Sequence, residues 1–262
     1  FVKMIIIFII FVFSGFYLIN QFNELSDTLA NLKVDLPALF FALALIVFTV
    51  VMGTLSWWSI LSGLDYHRSW LRTAEGYAYS SLAKYIPGFI WQFAGRAFFS
   101  EKLSIPLKFI GVGISLELLL TTLIGGLLAS LTYLFGGYQN FSTNSIVLIL
   151  VVISTLLLIF LLIKLPDYIE KILQKYFGDV EKLHKKAFYL GELFNFAGWI
   201  LMSGAYYLII SSFGIKDFPF LSAMFFHTTS FVAGTIALPF PNGLIIREAT
   251  LILMGKEILG EH

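Results

Sequence analysis

The stretch Leu36–Ser62 runs for 27 residues without one charged side chain. As an α-helix it would be about 40 Å long, and about 20 apolar residues are enough to cross a bilayer. Four further stretches share this character: Met4–Asn20, Phe109–Phe135, Ser145–Ile163 and Ala187–Phe213. Ser145–Ile163 carries no charge, Phe109–Phe135 only Glu117 and Ala187–Phe213 only Glu192. Whole-chain composition agrees, since 58% of the 262 residues are hydrophobic and 13% charged, against about 25% charged in a soluble domain. A soluble globule could not hide this much apolar side chain, and a disordered chain would not contain it. The expected fold class is an all-α polytopic membrane protein.

The net charge of +1 and the lack of basic runs with interleaved aromatics give no reason to expect nucleic acid. Cysteine is absent, which removes disulfides, thiolate metal sites and a cysteine nucleophile. His67, His184, His227 and His262 are scattered along the chain, and no H-E-x-x-H, nucleophile elbow or phosphate loop occurs. No metal, cofactor or enzyme chemistry is therefore expected.

The chain starts at Phe1, so the region is expected to begin a few residues late. Lys3 before an apolar run mimics a signal peptide, but no small-x-small cleavage site follows, and Met4–Asn20 is read as a retained span. Orientation follows from lysine and arginine. Six lie between Gly63 and Lys108 and six between Lys164 and Lys186, whereas Gln21–Asp35 holds Lys33 alone. Both basic stretches, and the N-terminus, are placed in the cytoplasm. The apolar face of 167–186, with lysines opposite it, reads as a surface helix on anionic lipid.

That bias bears on the segment 70–99, which is moderately apolar and broken at Pro87-Gly88. A single crossing there would flip every later loop and put the lysines of 164–186 outside. A re-entrant hairpin keeps the pattern consistent, with limbs of about 12–15 residues reaching the midplane. A second hairpin spans about 219–259 and breaks at Pro239-Phe240-Pro241-Asn242-Gly243, entering from the opposite face. Span, span, hairpin, span followed by span, span, hairpin is an inverted-topology repeat in one membrane domain, 1–262. Its halves are 1–135 and 144–262, and the second predicts at least one more span beyond His262. Such repeats usually place a transport site at the midplane, where broken helices meet.

Charges at that depth are costly and are the first candidates for function. Arg96 and Arg247 lie nine and eight residues after the first proline of their breaks. Gly88 and Gly243 each open a half-helix with free N–H groups, which with two arginines suits a phosphate or other anion. Lys84 and Asn242 flank the same breaks. The competing reading is that each arginine is interfacial or neutralises an acid. Glu117 and Glu248 are candidate charge partners or proton sites. Glu192, near the end of its span, reads as interfacial. His227, Thr228, Thr229 and Ser230, with Ser80 and Ser81, form polar patches that more often bond to backbone than to ligand. Trp91 and Gln92 either line a cavity or pack.

The stretches KYIPGFIWQFAGRAFFSEKLSIP and SFVAGTIALPFPNGLIIREA, with Leu116-Glu117 between them, resemble the lysylphosphatidylglycerol synthase transmembrane (flippase-like) family over residues 70–255. The resemblance makes Pro87, Gly88, Arg96, Glu117, Pro239, Pro241, Gly243, Arg247 and Glu248 the motif positions. It implies binding and translocation of an anionic phospholipid or a polyprenyl-phosphate-linked lipid in a prokaryotic cytoplasmic membrane. The alternative it leaves is a non-transporting partner that presents such a lipid to a membrane glycosyltransferase. Asn242 and Ile245 stand where glycines are commoner. The aminoacyl-transferase domain of two-domain members has no counterpart in this sequence, so lipid aminoacylation is not implied.

Overall fold

In the computed structural model the residues described are 34–83, 91–136, 145–177, 183–215, 217–236 and 243–259. They form helices α1 (Leu36–Gly63), α2 (Trp70–Ala83), α3 (Trp91–Leu103), α4 (Leu107–Leu134), α5 (Ser145–Phe177), α6 (Lys185–Ser212), α7 (Phe220–Ile236) and α8 (Leu244–Leu259). No strand occurs among the described residues. Of these helices, α1, α4, α5 and α6 are long and apolar enough to cross a membrane. The first expected span, Met4–Asn20, lies outside the described residues.

The scaffold is the antiparallel pair α1 and α6, each 28 residues long. Their ends are tied reciprocally by backbone bonds. The Asp35 N–H donates to Ser212 C=O at 2.9 Å, and the His184 N–H donates to Gly63 C=O at 2.9 Å. Asp35 also caps α1, its carboxylate accepting from the Ala38 N–H at 3.2 Å. Along the seam, α1 presents Ala42, Thr49, Ser56 and Gly63, and α6 presents Gly191, Gly198, Ala205 and Ser212. Both sets recur every seven residues, the spacing that keeps one seam facing a partner. Small side chains let the two backbones approach, which drives helix association where water exclusion cannot. A Cβ at Gly191 would sit 3.3 Å from the Ser56 carbonyl, and the Ser56 hydroxyl donates to Gly191 C=O at 2.9 Å.

Helices α2 and α3 pack on each other as a hairpin, and so do α7 and α8. The first hairpin leaves and returns at one place. The Arg68 guanidinium, just before α2, donates from Nε to Leu103 C=O at 2.6 Å and from Nη2 to Ser104 C=O at 3.0 Å, closing the end of α3. This end lies with Leu61, Leu64, Phe109, Leu173, Leu183 and Phe188 in the largest core cluster, where α1 finishes and α6 begins. The second hairpin starts and ends at the other end of α6, where Phe218 packs with Phe226, Met254, Tyr206 and Ile210. The limbs of α2 and α3 are 14 and 13 residues, and those of α7 and α8 are 17 and 16. The first hairpin extends four residues past the expected boundary at 99.

One expectation is corrected. The segment following Ile163 is no separate surface helix, because α5 continues through Pro166 to Phe177. Ile169 and Leu173 are buried in the core, while Ile172 and Tyr176 stay exposed. The amphipathic pattern was real, but part of its apolar face meets protein rather than lipid. Lys185 of α6 clips this segment in place through Asp167 at 2.6 Å and Glu170 at 3.1 Å. Upstream, Ile149, Leu150, Ile153, Leu157 and Phe160 are exposed, as a lipid-facing helix requires.

Candidate functional site

The two hairpin arginines sit in different electrostatic settings. Arg96 on α3 forks onto Glu117 on α4, its Nη1 facing Oε2 and its Nη2 donating to Oε1 at 3.2 Å. Both side chains are largely buried, with 14% and 13% exposure. The guanidinium is also stacked, 4.5 Å from the Trp57 ring centroid on α1 and 4.8 Å from that of Tyr77 on α2. Its Nε reaches the Ser80 hydroxyl at 3.4 Å. Four helices thus contribute to one cation, and its charge is neutralised by the bidentate carboxylate. The arrangement can hold the first hairpin against α1 and α4, and offers an incoming anion little free charge.

Arg247 on α8 makes no salt bridge or side-chain hydrogen bond among the described residues. It lies 4.8 Å over the Phe231 ring of α7. Its aliphatic stem passes Gly234 so closely that a Cβ there would strike it. Gly243, immediately before α8, has φ +64° and packs backbone to backbone on Gly234. A side chain is excluded at both positions, by contact at Gly234 and by contact and conformation at Gly243. The first turn of α8 follows directly, so its free N–H groups lie within one turn of the Arg247 backbone. Glu248 is exposed and makes no salt bridge to Arg247, although its negative charge acts on the guanidinium. Lys84, Pro87, Gly88, Pro239, Pro241 and Asn242 lie outside the described residues, and so do the side chains of Trp91 and Gln92.

Three of the patch hydroxyls serve the backbone, whereas the buried Thr229 Oγ1 has no partner among the described residues. Ser80 donates to Tyr77 C=O, Thr228 to Met224 C=O and Ser230 to His227 C=O. His227 is buried, with Nδ1 3.2 Å from the Ser203 hydroxyl and its ring against Trp199 and Tyr206. Two of the histidines scattered along the sequence come together in space. His67 and His184 converge on Asp65, at 3.6 Å and 3.1 Å, in an exposed cluster whose three donor atoms lie within 4.8 Å of one another. These residues have the donor types to hold a divalent ion. Sequence spacing gave no sign of the cluster, because His184 reaches it only through the α1–α6 pairing.

Comparison with known proteins agrees with the motifs. The family model described as the lysylphosphatidylglycerol synthase TM region matches residues 1–258. The chain belongs to this family. The match covers nearly the whole chain, well beyond the 70–255 over which the motifs were read. No curated protein and no solved structure matches the chain. In this chain Arg96 and Glu117 form a closed pair, and Arg247 lies without a salt bridge near the start of α8. The chain shows no evident catalytic domain.

Proposed function

We propose that this protein binds the anionic headgroup of a phospholipid or polyprenyl-phosphate lipid at Arg247 and carries it across the membrane. The observation that carries the reading is the half-buried Arg247 guanidinium, which makes no salt bridge among the described residues while Arg96 does. A cation held in apolar surroundings is costly unless an anion joins it. A phosphate reaching Arg247 would also meet the N–H groups at the start of α8, which favour negative charge. Its acyl or prenyl chains would remain among the apolar side chains facing lipid.

The transport part draws support from the helix arrangement. The caps of α1 and α6 each donate to the last residue of the other helix. The small-residue seam recurs in the same register 149 residues on, from 36–63 to 185–212. Each helix is followed by a hairpin, and the hairpins return at opposite ends of the pair. We read this as an inverted repeat with two re-entrant hairpins, its α1–α6 seam near the pseudo-two-fold axis. In such repeats one half rocks against the other around a midplane site. The lysine and arginine bias assigns the end bearing Gly63 and His184 to the cytoplasm.

The test is movement of fluorescent phosphatidylglycerol between leaflets of proteoliposomes, followed by quenching from outside. The reading expects transport by the wild type, loss in Arg247→Ala and partial retention in Arg247→Lys. Unchanged transport in Arg247→Ala removes Arg247 from the site. Binding without any movement would favour presentation of the lipid to a glycosyltransferase instead.

A further inference from the structure

Two imidazoles and a carboxylate meet where α1 ends and α6 begins. Asp65 Oδ1 lies 3.1 Å from His184 Nε2 and 3.6 Å from His67 Nε2, and the three donor atoms lie within 4.8 Å of one another. Around a tetrahedral ion with bonds of about 2.0–2.2 Å, neighbouring ligand atoms stand about 3.3 Å apart. The cluster is therefore close to the size that one such ion requires. The side chains are open to water, His67 being 64% exposed, Asp65 68% and His184 51%.

Their backbones, by contrast, are held. Leu64 and Leu183, the residues before Asp65 and His184, are each only 1% exposed. The His184 N–H donates to Gly63 C=O at 2.9 Å. The His67 carbonyl accepts from Arg68 Nη1 at 3.2 Å, and the Arg68 carbonyl accepts from Trp58 Nε1 at 2.7 Å. Asp65 itself has φ +70°. Its N–H donates to Ser62 C=O at 3.1 Å, and the Tyr66 N–H donates to Leu61 C=O at 2.9 Å. These are the two bonds of a Schellman cap, in which the left-handed residue is usually glycine. The chain keeps a carboxylate at a position whose backbone favours no side chain, and that carboxylate faces both imidazoles.

We propose that Asp65, His67 and His184 bind a divalent transition metal of the zinc type, with the fourth position left to water. Imidazole nitrogens suit such ions, whereas magnesium and calcium prefer oxygen ligands throughout. The ion would join the cap of α1 to the first residues of α6 and so reinforce the scaffold pair at one end, since a ligand that binds only the folded state stabilises it. Sequence spacing gave no expectation of metal because the His184–Asp65 contact spans 119 residues. The site uses neither Arg247 nor lipid movement and stands or falls without them.

The test is calorimetric titration of tag-free protein in phosphatidylcholine nanodiscs with zinc, with empty nanodiscs as the blank and magnesium as the comparison. The wild type is expected to take up one zinc per chain, at least about tenfold more tightly than magnesium, and to unfold at a higher temperature when zinc is present. Asp65→Gly suits the left-handed cap, so it is expected to fold at least as well as the wild type without zinc. It should nonetheless bind zinc at least about tenfold more weakly, as loss of a metal's supporting groups does, and show no rise in midpoint. His184→Asn should lose zinc in the same way. Cobalt(II) reports the geometry, through the intense visible absorption of a tetrahedral ion in the wild type and its loss in Asp65→Gly. No saturable zinc uptake by the wild type overturns the site, and so does uptake that persists unchanged in Asp65→Gly and His184→Asn.

Discussion

The guanidinium of Arg96 and the carboxylate of Glu117 meet as a two-pronged ion pair between the first hairpin and α4. The pair is shielded by Trp57 and Tyr77, whose rings contact the cation from α1 and α2. A charge at this depth is tolerated because all four elements converge on it, and removing one partner leaves the other buried and alone.

Breaking this pair from one side should therefore cost more than deleting it. Glu117→Gln or Arg96→Gln is expected to destabilise by about 3–5 kcal/mol, the usual penalty for an orphaned buried charge. The double variant Arg96→Met/Glu117→Leu should be less destabilised than either single one. Thermal unfolding followed by tryptophan fluorescence in detergent measures all three. Additive losses would mean that the pair contributes little as a unit.

Arg247 should behave in the reverse way. With no buried salt bridge to break, Arg247→Gln is expected to alter the unfolding midpoint much less than Arg96→Gln. Binding of anionic lipid should weaken roughly ten- to a hundredfold, the equivalent of one charge-assisted hydrogen-bond set of about 1.5–3 kcal/mol. Titration of nanodisc-embedded protein with short-chain phosphatidylglycerol measures the affinity, with phosphatidylcholine as the neutral comparison.

Two glycines of α4 separate packing from propensity. Nothing lies within 4 Å of a Cβ built at Gly111, whereas one at Gly125 would meet the Trp199 ring at 2.5 Å. Gly111→Ala should be neutral or raise stability by up to about 1 kcal/mol through helix propensity. Gly125→Ala should lower it by about 1–3 kcal/mol through overpacking. The unfolding midpoints of the two variants should shift in opposite directions, or Gly125 alone should shift.

At the second break, Gly243→Ala meets both a left-handed φ and the Gly234 backbone. The conformational strain alone costs about 1–3 kcal/mol. The contact adds to it by forcing α7 and α8 apart near Arg247. Gly243→Ala should thus lose lipid binding as well as stability, measured in the same titration. Gly255→Ala, with open space around its Cβ, is the matched control in α8.

Much of the molecule is a direct consequence of local sequence. Leu36–Ser62 has no charge and must lie in lipid or protein, so α1 follows from composition and length alone. Proline lacks a donor and glycine tolerates unusual φ, so the motifs at 87–88 and 239–243 predict breaks, and the described helices end at Ala83 and Ile236 and resume at Trp91 and Leu244. The separate limbs α2, α3, α7 and α8 on either side of them were legible for the same reason. Arg96, Glu117 and Arg247 stood out because charge is rare at depth. Glu117 was a candidate partner for either arginine, and nothing in a linear pattern says which of the two it will face.

Tertiary packing decided those pairings. Arg96 reaches Glu117 because the first hairpin lies between α1 and α4, and Arg247 reaches Phe231 because Gly234 and Gly243 let α7 and α8 touch. His184 meets Asp65 and His67 only because α1 and α6 align end to end. Asn195 meets Thr121 of α4 while Gly191 and Gly198 commit a neighbouring face of α6 to α1. Hydrophobic pattern specifies which residues leave water, an effect of each side chain on its own. Which neutral or charged partner each one meets depends on long-range contacts between helices, and those exist only in the folded chain.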